Sequence, residues 1–142
     1  MIVYFETSAL VKLVIAEQGS EDAGALWDAA DGTMTSRLSY AEARAALAAA
    51  RRSGRLSTPR LVDAKEALKA RFREIDVVEV TSGIVRSAGD LAEQHALRGY
   101  DAVHLASVLA IDSPDLVLAT WDRELAASGG ASGVAFAGIR PE

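Results

Sequence analysis

Ile2-Val3-Tyr4-Phe5-Glu6-Thr7-Ser8-Ala9-Leu10-Val11-Lys12-Leu13 opens as a short apolar run and turns, across one acidic residue, into an apolar helical stretch. An unbroken apolar run of that length reads as a strand covered on both faces, the usual state of a strand in a parallel sheet. Helix character follows over residues 8–16, until Gln18-Gly19 breaks it. A strand feeding directly into a helix is half of a βαβ unit, and the rest of the chain repeats the alternation. Ser20 is placed to cap a helix over 21–30, whose first turn carries acids that suit the dipole. Asp31-Gly32 is a turn before a short strand at 33–36. Ser39 and Glu42 have the spacing of a capping box at the head of an Ala-rich helix that runs to about Arg52. Thr58-Pro59 pairs a capping residue with Pro at the first helical position, and that helix runs to about Arg73. Then come a strand at 77–80, helices at 82–97 and 101–111, a strand at 116–119, a short helix at 122–127 and a last strand at 134–136. The pattern predicts one α/β domain over 1–142, a three-layer α/β/α sandwich around a mainly parallel central sheet.

Composition narrows the chemistry. The chain has 142 residues, half of them hydrophobic, enough for a sizeable core. It has no Cys, which excludes disulfides, thiolate metal sites and a Cys nucleophile. Its apolar stretches, such as 10–16 with Lys12 inside, are too short to span a bilayer. The first residues read as a strand rather than a signal peptide, so a cytoplasmic location is expected, with no membrane partner. The formal charge of −5 means that the molecule as a whole repels nucleic acid. A polyanion site must then be a local basic patch or a metal-loaded acidic pocket.

Both candidates are present. In open parallel sheets, ligands bind beyond the carboxyl ends of the strands, where strand order reverses. Glu6 directly follows the first strand and Asp122 lies just beyond the strand at 116–119. Glu42 heads the helix after 33–36, and Asp101 opens the helix after Gly99. Singly, three of these acids are explained by capping and helix dipoles. Converged at one edge, four carboxylates repel one another unless protons or cations neutralise them. An all-oxygen donor set suits Mg²⁺ or Mn²⁺ rather than Zn²⁺.

These residues resemble a known family. Residues 2–13 look like the opening of PIN domains of the VapC toxin type, which read acid-Thr-Ser-Ala after a strand. Ser39-Tyr40-Ala41-Glu42 resembles the second motif of that family, and Arg98-Gly99-Tyr100-Asp101-Ala102-Val103-His104-Leu105-Ala106 the third and most specific. Thr120-Trp121-Asp122-Arg123-Glu124-Leu125 resembles the fourth. The resemblance covers nearly the whole chain. It implies an Mg²⁺- or Mn²⁺-dependent endoribonuclease that cleaves RNA by hydrolysis, with Glu6, Glu42, Asp101 and Asp122 as the catalytic and metal-binding acids. It also implies that Thr7, Ser8 and Thr120 support metal waters or phosphate oxygens, that a cognate antitoxin plugs the site, and that the chain forms a homodimer. One departure stands out: the family's first acid is almost always Asp, and here it is Glu6, one methylene longer. Weaker metal binding and attenuated activity are expected from it, and a catalytically weak PIN scaffold that binds RNA or protein is the alternative reading.

Substrate attraction falls to arginines. Arg44, Arg51, Arg52, Arg55 and Arg60 cluster on one helix and the turn after it. Arg37, Arg98 and Arg123 sit closest to the acidic motifs and are the better candidates for phosphate contact. Trp121 and Tyr100 flank two of the acids and are placed to stack on unpaired bases, whereas Trp27 reads as core. His95 is expected in a solvated stretch and His104 in packing or hydrogen bonding, neither in catalysis. Other classes that place an acid after a first strand do not fit. A haloacid-dehalogenase-type phosphatase needs a second Asp where Ser8 stands, and the residue set of a receiver domain is not found. The P-loop and Gly-x-Ser-x-Gly signatures are absent.

Overall fold

The computed structural model describes residues 1–139. The sheet has five strands, all parallel, in the order β3-β2-β1-β4-β5. In chain order the elements are β1 (Ile2–Phe5), α1 (Thr7–Val14), α2 (Ser20–Ala29), β2 (Gly32–Ser36), α3 (Leu38–Arg52), α4 (Thr58–Glu74) and β3 (Asp76–Val78). There follow α5 (Ser82–His95), α6 (Gly99–Leu109), β4 (Leu116–Thr120), α7 (Arg123–Ala131) and β5 (Ala135–Gly138). The alternation read from the sequence is the alternation found.

Strand periodicity explains how helices cover both faces. Successive β1 side chains point to opposite sides, so Tyr4 joins one core and Val3 and Phe5 another. The Tyr4 side holds Leu105, Val108, Leu118 and Leu125 from α6, β4 and α7. The opposite side holds Leu10 and Ala9 of α1 with Ile75 and Ala119. Each fully buried leucine here contributes roughly 1.5–3 kcal/mol of transfer free energy. A third cluster lies between helices: Ala43, Leu47 and Ala50 on one face of α3 pack with Val11, Ala64 and Leu68. The apolar face of α1 and the Ala-rich helix are thus largely consumed internally. Among the described residues, no helix is long and apolar enough to cross a membrane.

Several helix starts differ from expectation, each for a local reason. The capping box of Ser39 and Glu42 does not form. α3 begins two residues earlier than such a box would start it, Ser36 accepts from the Leu38 N–H, and buried Ser39 receives a hydrogen bond from Thr35 instead. Glu42 is thereby released for another use. Ser57, not Thr58, caps α4, accepting from the Arg60 N–H. Ser20 lies inside α2, where its hydroxyl ties the preceding loop by donating to Ile15 O and accepting from the Glu17 N–H. Strand β3 is shorter than the expected run and begins at Asp76, while β5 extends to Gly138.

Candidate active site

Strand β1 sits at the middle of the sheet, with β2 on one side and β4 on the other. The chain therefore leaves β1 and β4 in opposite directions, and the crevice where ligands bind in such sheets opens beyond their carboxyl ends. Glu6 follows β1 at once and Asp122 follows β4 by two positions. Asp101 stands in the first turn of α6, and Glu42 near the start of α3. All four carboxylates line one cleft of about 640 Å³, together with Thr7, Ser8, Lys12, Arg55, Arg98 and Tyr100.

Each carboxylate is anchored by different neighbours. Glu6 is buried, and its Oε2 accepts from the Ser8 hydroxyl and from Thr120 Oγ1 at 2.9 Å. Those hydroxyls are fixed in turn by the turn after β4: the Trp121 N–H donates to Ser8 Oγ and the Asp122 N–H to Thr120 Oγ1. Asp122 caps α7, with Oδ1 accepting from the Leu125 N–H at 2.9 Å. Its Oδ2 is 3.9 Å from the Arg98 guanidinium, so capping and the cleft use different oxygens. Glu42 Oε1 accepts from Thr7 Oγ1 at 2.8 Å and pairs with His104 Nε2 at 2.6 Å. Burial pushes Glu42 up, but hydrogen bonding and charge from His104, helped by Thr7, outweigh it and hold the carboxyl below its ordinary range.

Asp101 behaves in the opposite way. It is 3 % exposed, and its Oδ2 accepts from Arg98 Nε at 3.1 Å. Burial pushes its pKa up. The Arg98 hydrogen bond pulls it down, the nearby Asp122 charge adds to the rise, and the balance lies above the ordinary carboxylate value. Arg98 spans Asp101 and Asp122 while remaining 62 % exposed, and its guanidinium lies 4.9 Å from the Tyr100 ring centroid.

Of the residues singled out in the sequence, Glu6, Glu42, Asp101, Asp122, Thr7, Ser8 and Arg98 line the cleft, and Thr120 sits beneath it, bound to Glu6. Arg37 does not join them. Its guanidinium pairs with Glu79 beyond β3, with Nε 3.2 Å from both carboxylate oxygens. Arg123 opens α7 and is not among the cleft-lining residues. Within the arginine cluster, Arg55 reaches the cleft wall, while Arg44 turns to Tyr40 and Arg51 to Thr58. Trp27 packs on Phe5 as expected of core. Trp121 lies under Lys12, and Tyr100 is the exposed aromatic at the cleft. His95 is half-buried rather than solvated, with Nε2 lacking a partner among the described residues.

One contributor was not found from sequence, and another was read there only for packing or hydrogen bonding. Lys12 reaches the cleft wall while paired with Glu17 at 2.8 Å. His104 lies fully buried behind Glu42. Its spacing from Asp101, three residues along α6, was the available signal, because i and i+3 share a helix face.

The donor set fits a hard divalent cation: four carboxylates and neighbouring hydroxyls, with no imidazole or sulfur on the cleft wall. Among the described residues, no group of three or more His, Asp or Glu is already drawn together as a metal cage. Instead the Arg98 guanidinium supplies positive charge between Asp101 and Asp122.

Residues 3–130 match the model of the PIN domain. Ribonuclease VapC45 of Mycobacterium tuberculosis (strain CDC 1551 / Oshkosh) is 49% identical over 132 residues, which cover 93% of this chain and 92% of that protein. The crystal structure of Mycobacterium tuberculosis VapC20, described as a sarcin-ricin loop cleaving toxin, superposes with a TM-score of 0.69 at 20% identity, covering 98% of this chain and 99% of that one. A toxin-antitoxin complex from Klebsiella pneumoniae superposes with a TM-score of 0.65 at 17% identity, covering 94% and 95%. The two structural likenesses bear on the fold.

Proposed function

The chain belongs to the PIN-domain family, and from that premise we propose that it is a metal-dependent endoribonuclease, the toxin of a toxin–antitoxin pair, built as a single domain over 1–142. The observation that carries the reading is the meeting of Glu6, Glu42, Asp101 and Asp122, from four separate places in the chain, in one cleft at the sheet's switch point. The 49% identical relative is named a ribonuclease, which supports the same activity.

Glu6, Asp101 and Asp122 would hold Mg²⁺ or Mn²⁺, with Glu42 facing them as ligand of a second ion or as a support. A bound divalent ion supplies an activated water at neutral pH and charge stabilisation on the leaving 3′ oxygen. The protein's own groups do the rest. Thr120 and Ser8 orient Glu6, the Thr7 hydroxyl holds Glu42, and Arg98 gives the phosphate a guanidinium to bind as it leaves the acids. Tyr100, exposed beside Arg98, offers a face on which an unpaired base stacks. Water attacks phosphorus in line, the P–O3′ bond breaks, and the products are a 5′ phosphate and a 3′ hydroxyl. An enzyme of this kind meets its substrate in the cytoplasm, and a homodimer with a bound antitoxin is its proposed resting form. A second cleft of about 580 Å³, walled by Val14, Ile15, Ala50 and Leu56, shares Ile15, Glu17, Ala50 and Arg55 with the first. Together they form one continuous surface for an antitoxin segment.

Purified protein is expected to cleave mixed cellular RNA with Mg²⁺ or Mn²⁺ and to stop when chelator is added. Cleavage that persists in chelator, or products ending in a 2′,3′-cyclic phosphate, would overturn the hydrolytic scheme. The alternative, a weak scaffold that binds rather than cuts, draws support from Glu6 being tied to Ser8 and Thr120. It predicts no cleavage and no Mn²⁺ binding by calorimetry.

Arg98 has a measurable consequence of its own. Its guanidinium sits where a cation would neutralise Asp101 and Asp122, so the two compete. Because the side chain is mostly solvated, water and salt screen the pair and it is weak. Arg98→Ala is expected to bind Mn²⁺ about twofold to fivefold more tightly and to bind RNA more weakly. Weaker Mn²⁺ binding by the variant would show that Arg98 supports the acids rather than competing for them.

A further inference from the structure

Behind the cleft, a buried chain of side chains runs into the core and has no part in the scheme above. His104 is fully buried. Its Nε2 meets Glu42 Oε1 at 2.6 Å and its Nδ1 meets the Tyr4 hydroxyl at 2.8 Å. Tyr4 is fully buried in β1 and stands edge-on to the imidazole, with ring centroids 5.9 Å apart at 79°. A buried imidazole costs free energy unless both nitrogens are satisfied, and here both are, by residues of two other elements. A leucine at this position would pack with less risk, so the core's needs alone do not call for an imidazole.

The directions of these bonds assign the hydrogens. A carboxylate only accepts, so Nε2 carries the proton shared with Glu42. The phenol holds the ring at Nδ1 and so fixes its plane. Both bonds from protein to Glu42, from His104 and from Thr7 at 2.8 Å, end on Oε1. Oε2 is left as the oxygen offered to the cleft.

We propose that His104, braced by Tyr4, is a positioning residue that pins one oxygen of Glu42 so that the other is presented to the cleft in a single orientation. The inference rests on the nuclease reading for its effect on rate, and on geometry alone for the hydrogen-bond arrangement. Glu42 is the acid most in need of such a brace. Two hydroxyls hold Glu6, and its own helix N-terminus holds Asp122. Without His104, only the Thr7 hydroxyl would remain on the carboxylate of Glu42.

Two measurements test this independently. Long-range ¹H–¹⁵N correlation on His-labelled protein is expected to show the His104 Nε2 protonated. A bare Nε2 with the proton on Nδ1 would overturn the arrangement whether or not the protein cuts RNA. In metal-loaded kinetics, His104→Leu is expected to lower kcat by about 10- to 100-fold, the usual cost of losing a residue that orients a ligand, with KM nearly unchanged. His104→Gln, which keeps a donor at similar reach, is expected to restore most of that loss. In a Glu42→Ala background, His104→Leu is expected to cost nothing further. The same loss in both backgrounds would reduce His104 to a packing residue. If His104→Leu does not fold, Tyr4→Phe carries the kinetic test, since it frees the ring at Nδ1 and is expected to lower kcat in the same sense. Should the parent protein itself cut no RNA, the nuclease reading falls, and the tautomer measurement still decides the geometry.

Discussion

Shortening Glu6 to Asp is expected to raise RNA cleavage by up to about 100-fold and to tighten Mn²⁺ binding with it. The carboxylate of Glu6 reaches past the end of β1 to Ser8 and Thr120, and both hydrogen bonds fall on Oε2. An ion in the cleft must share this carboxylate with two hydroxyl donors. Mg²⁺ tolerates little displacement, asking for ligands at about 2.0–2.1 Å in near-octahedral array. A misplacement of about 1 Å near a reacting centre costs roughly 100-fold in rate, and one extra methylene moves the group by about that much. Glu6 also occupies the N-cap position of α1 without making a side-chain cap. Asp is among the best residues there, so the shorter side chain gains a local role while retreating from Thr120. The measurement is paired: Mn²⁺ affinity by calorimetry and kcat on the same RNA for both proteins. Equal values in both would remove Glu6 from the metal site. A loss on shortening would mean that this cleft is shaped around the longer arm.

Asp101→Asn is expected to abolish cleavage while making the fold more heat-resistant. The first effect follows from its place: a carboxylate 3 % exposed, held by α6 at the cleft and facing Asp122. Losing a charged ligand removes several kcal/mol of transition-state stabilisation, roughly a thousandfold or more in rate. The second follows from the direction of the pKa shift. Burial first, and then the Asp122 charge, raise the folded-state pKa above the ordinary carboxylate value of 3.8, against the pull of Arg98. The folded state therefore holds this proton more firmly than the unfolded chain does. Its contribution to stability is full below pH 3.8 and is lost as pH rises through the raised value. At neutral pH the ionised group strains the fold, and Asn, shaped alike but uncharged, relieves the strain. Thermal melts of parent and variant without metal at neutral pH check the sign. A lower melting temperature for Asp101→Asn would show that its pairing with Arg98 outweighs burial. An unaltered rate of cleavage would take Asp101 out of the mechanism.

The two effects oppose each other as they do where binding chemistry is held against the interest of stability. Glu42 sits on the other side of that balance, with His104 and Thr7 already supplying the partners its charge needs. Glu42 thus has protein partners that outweigh its burial, whereas the Arg98 partner of Asp101 does not. Asp101 is the better candidate for a site that waits for a cation.

Reading residues in order recovered the strand–helix alternation, the parallel sheet and where along the elements the four acids stand, because each rests on signals local to the chain. Apolar runs four or five residues long, glycine breaks and acids at helix entrances act over one or two turns. Placing Glu6 and Asp122 beyond neighbouring strands needed only the rule for parallel sheets, and the pairing of Phe5 with Ala119 bears it out. Partner choice was another matter. Arg37 and Arg98 look alike in sequence, each close to an acidic motif, yet one closes on Glu79 outside the cleft and the other spans Asp101 and Asp122. A long guanidinium side chain goes to whichever carboxylate the packed helices bring within reach, and no local signal encodes that. The same holds for Ser39, which abandons its cap for Thr35 once β2 and α3 are packed. It holds most of all for His104, joined to Glu42 across 62 residues and to Tyr4 across 100. Local propensity settles which elements form and where their acids stand. Burial, which exists only after the sheet and helices close on one another, decides which polar groups must find each other.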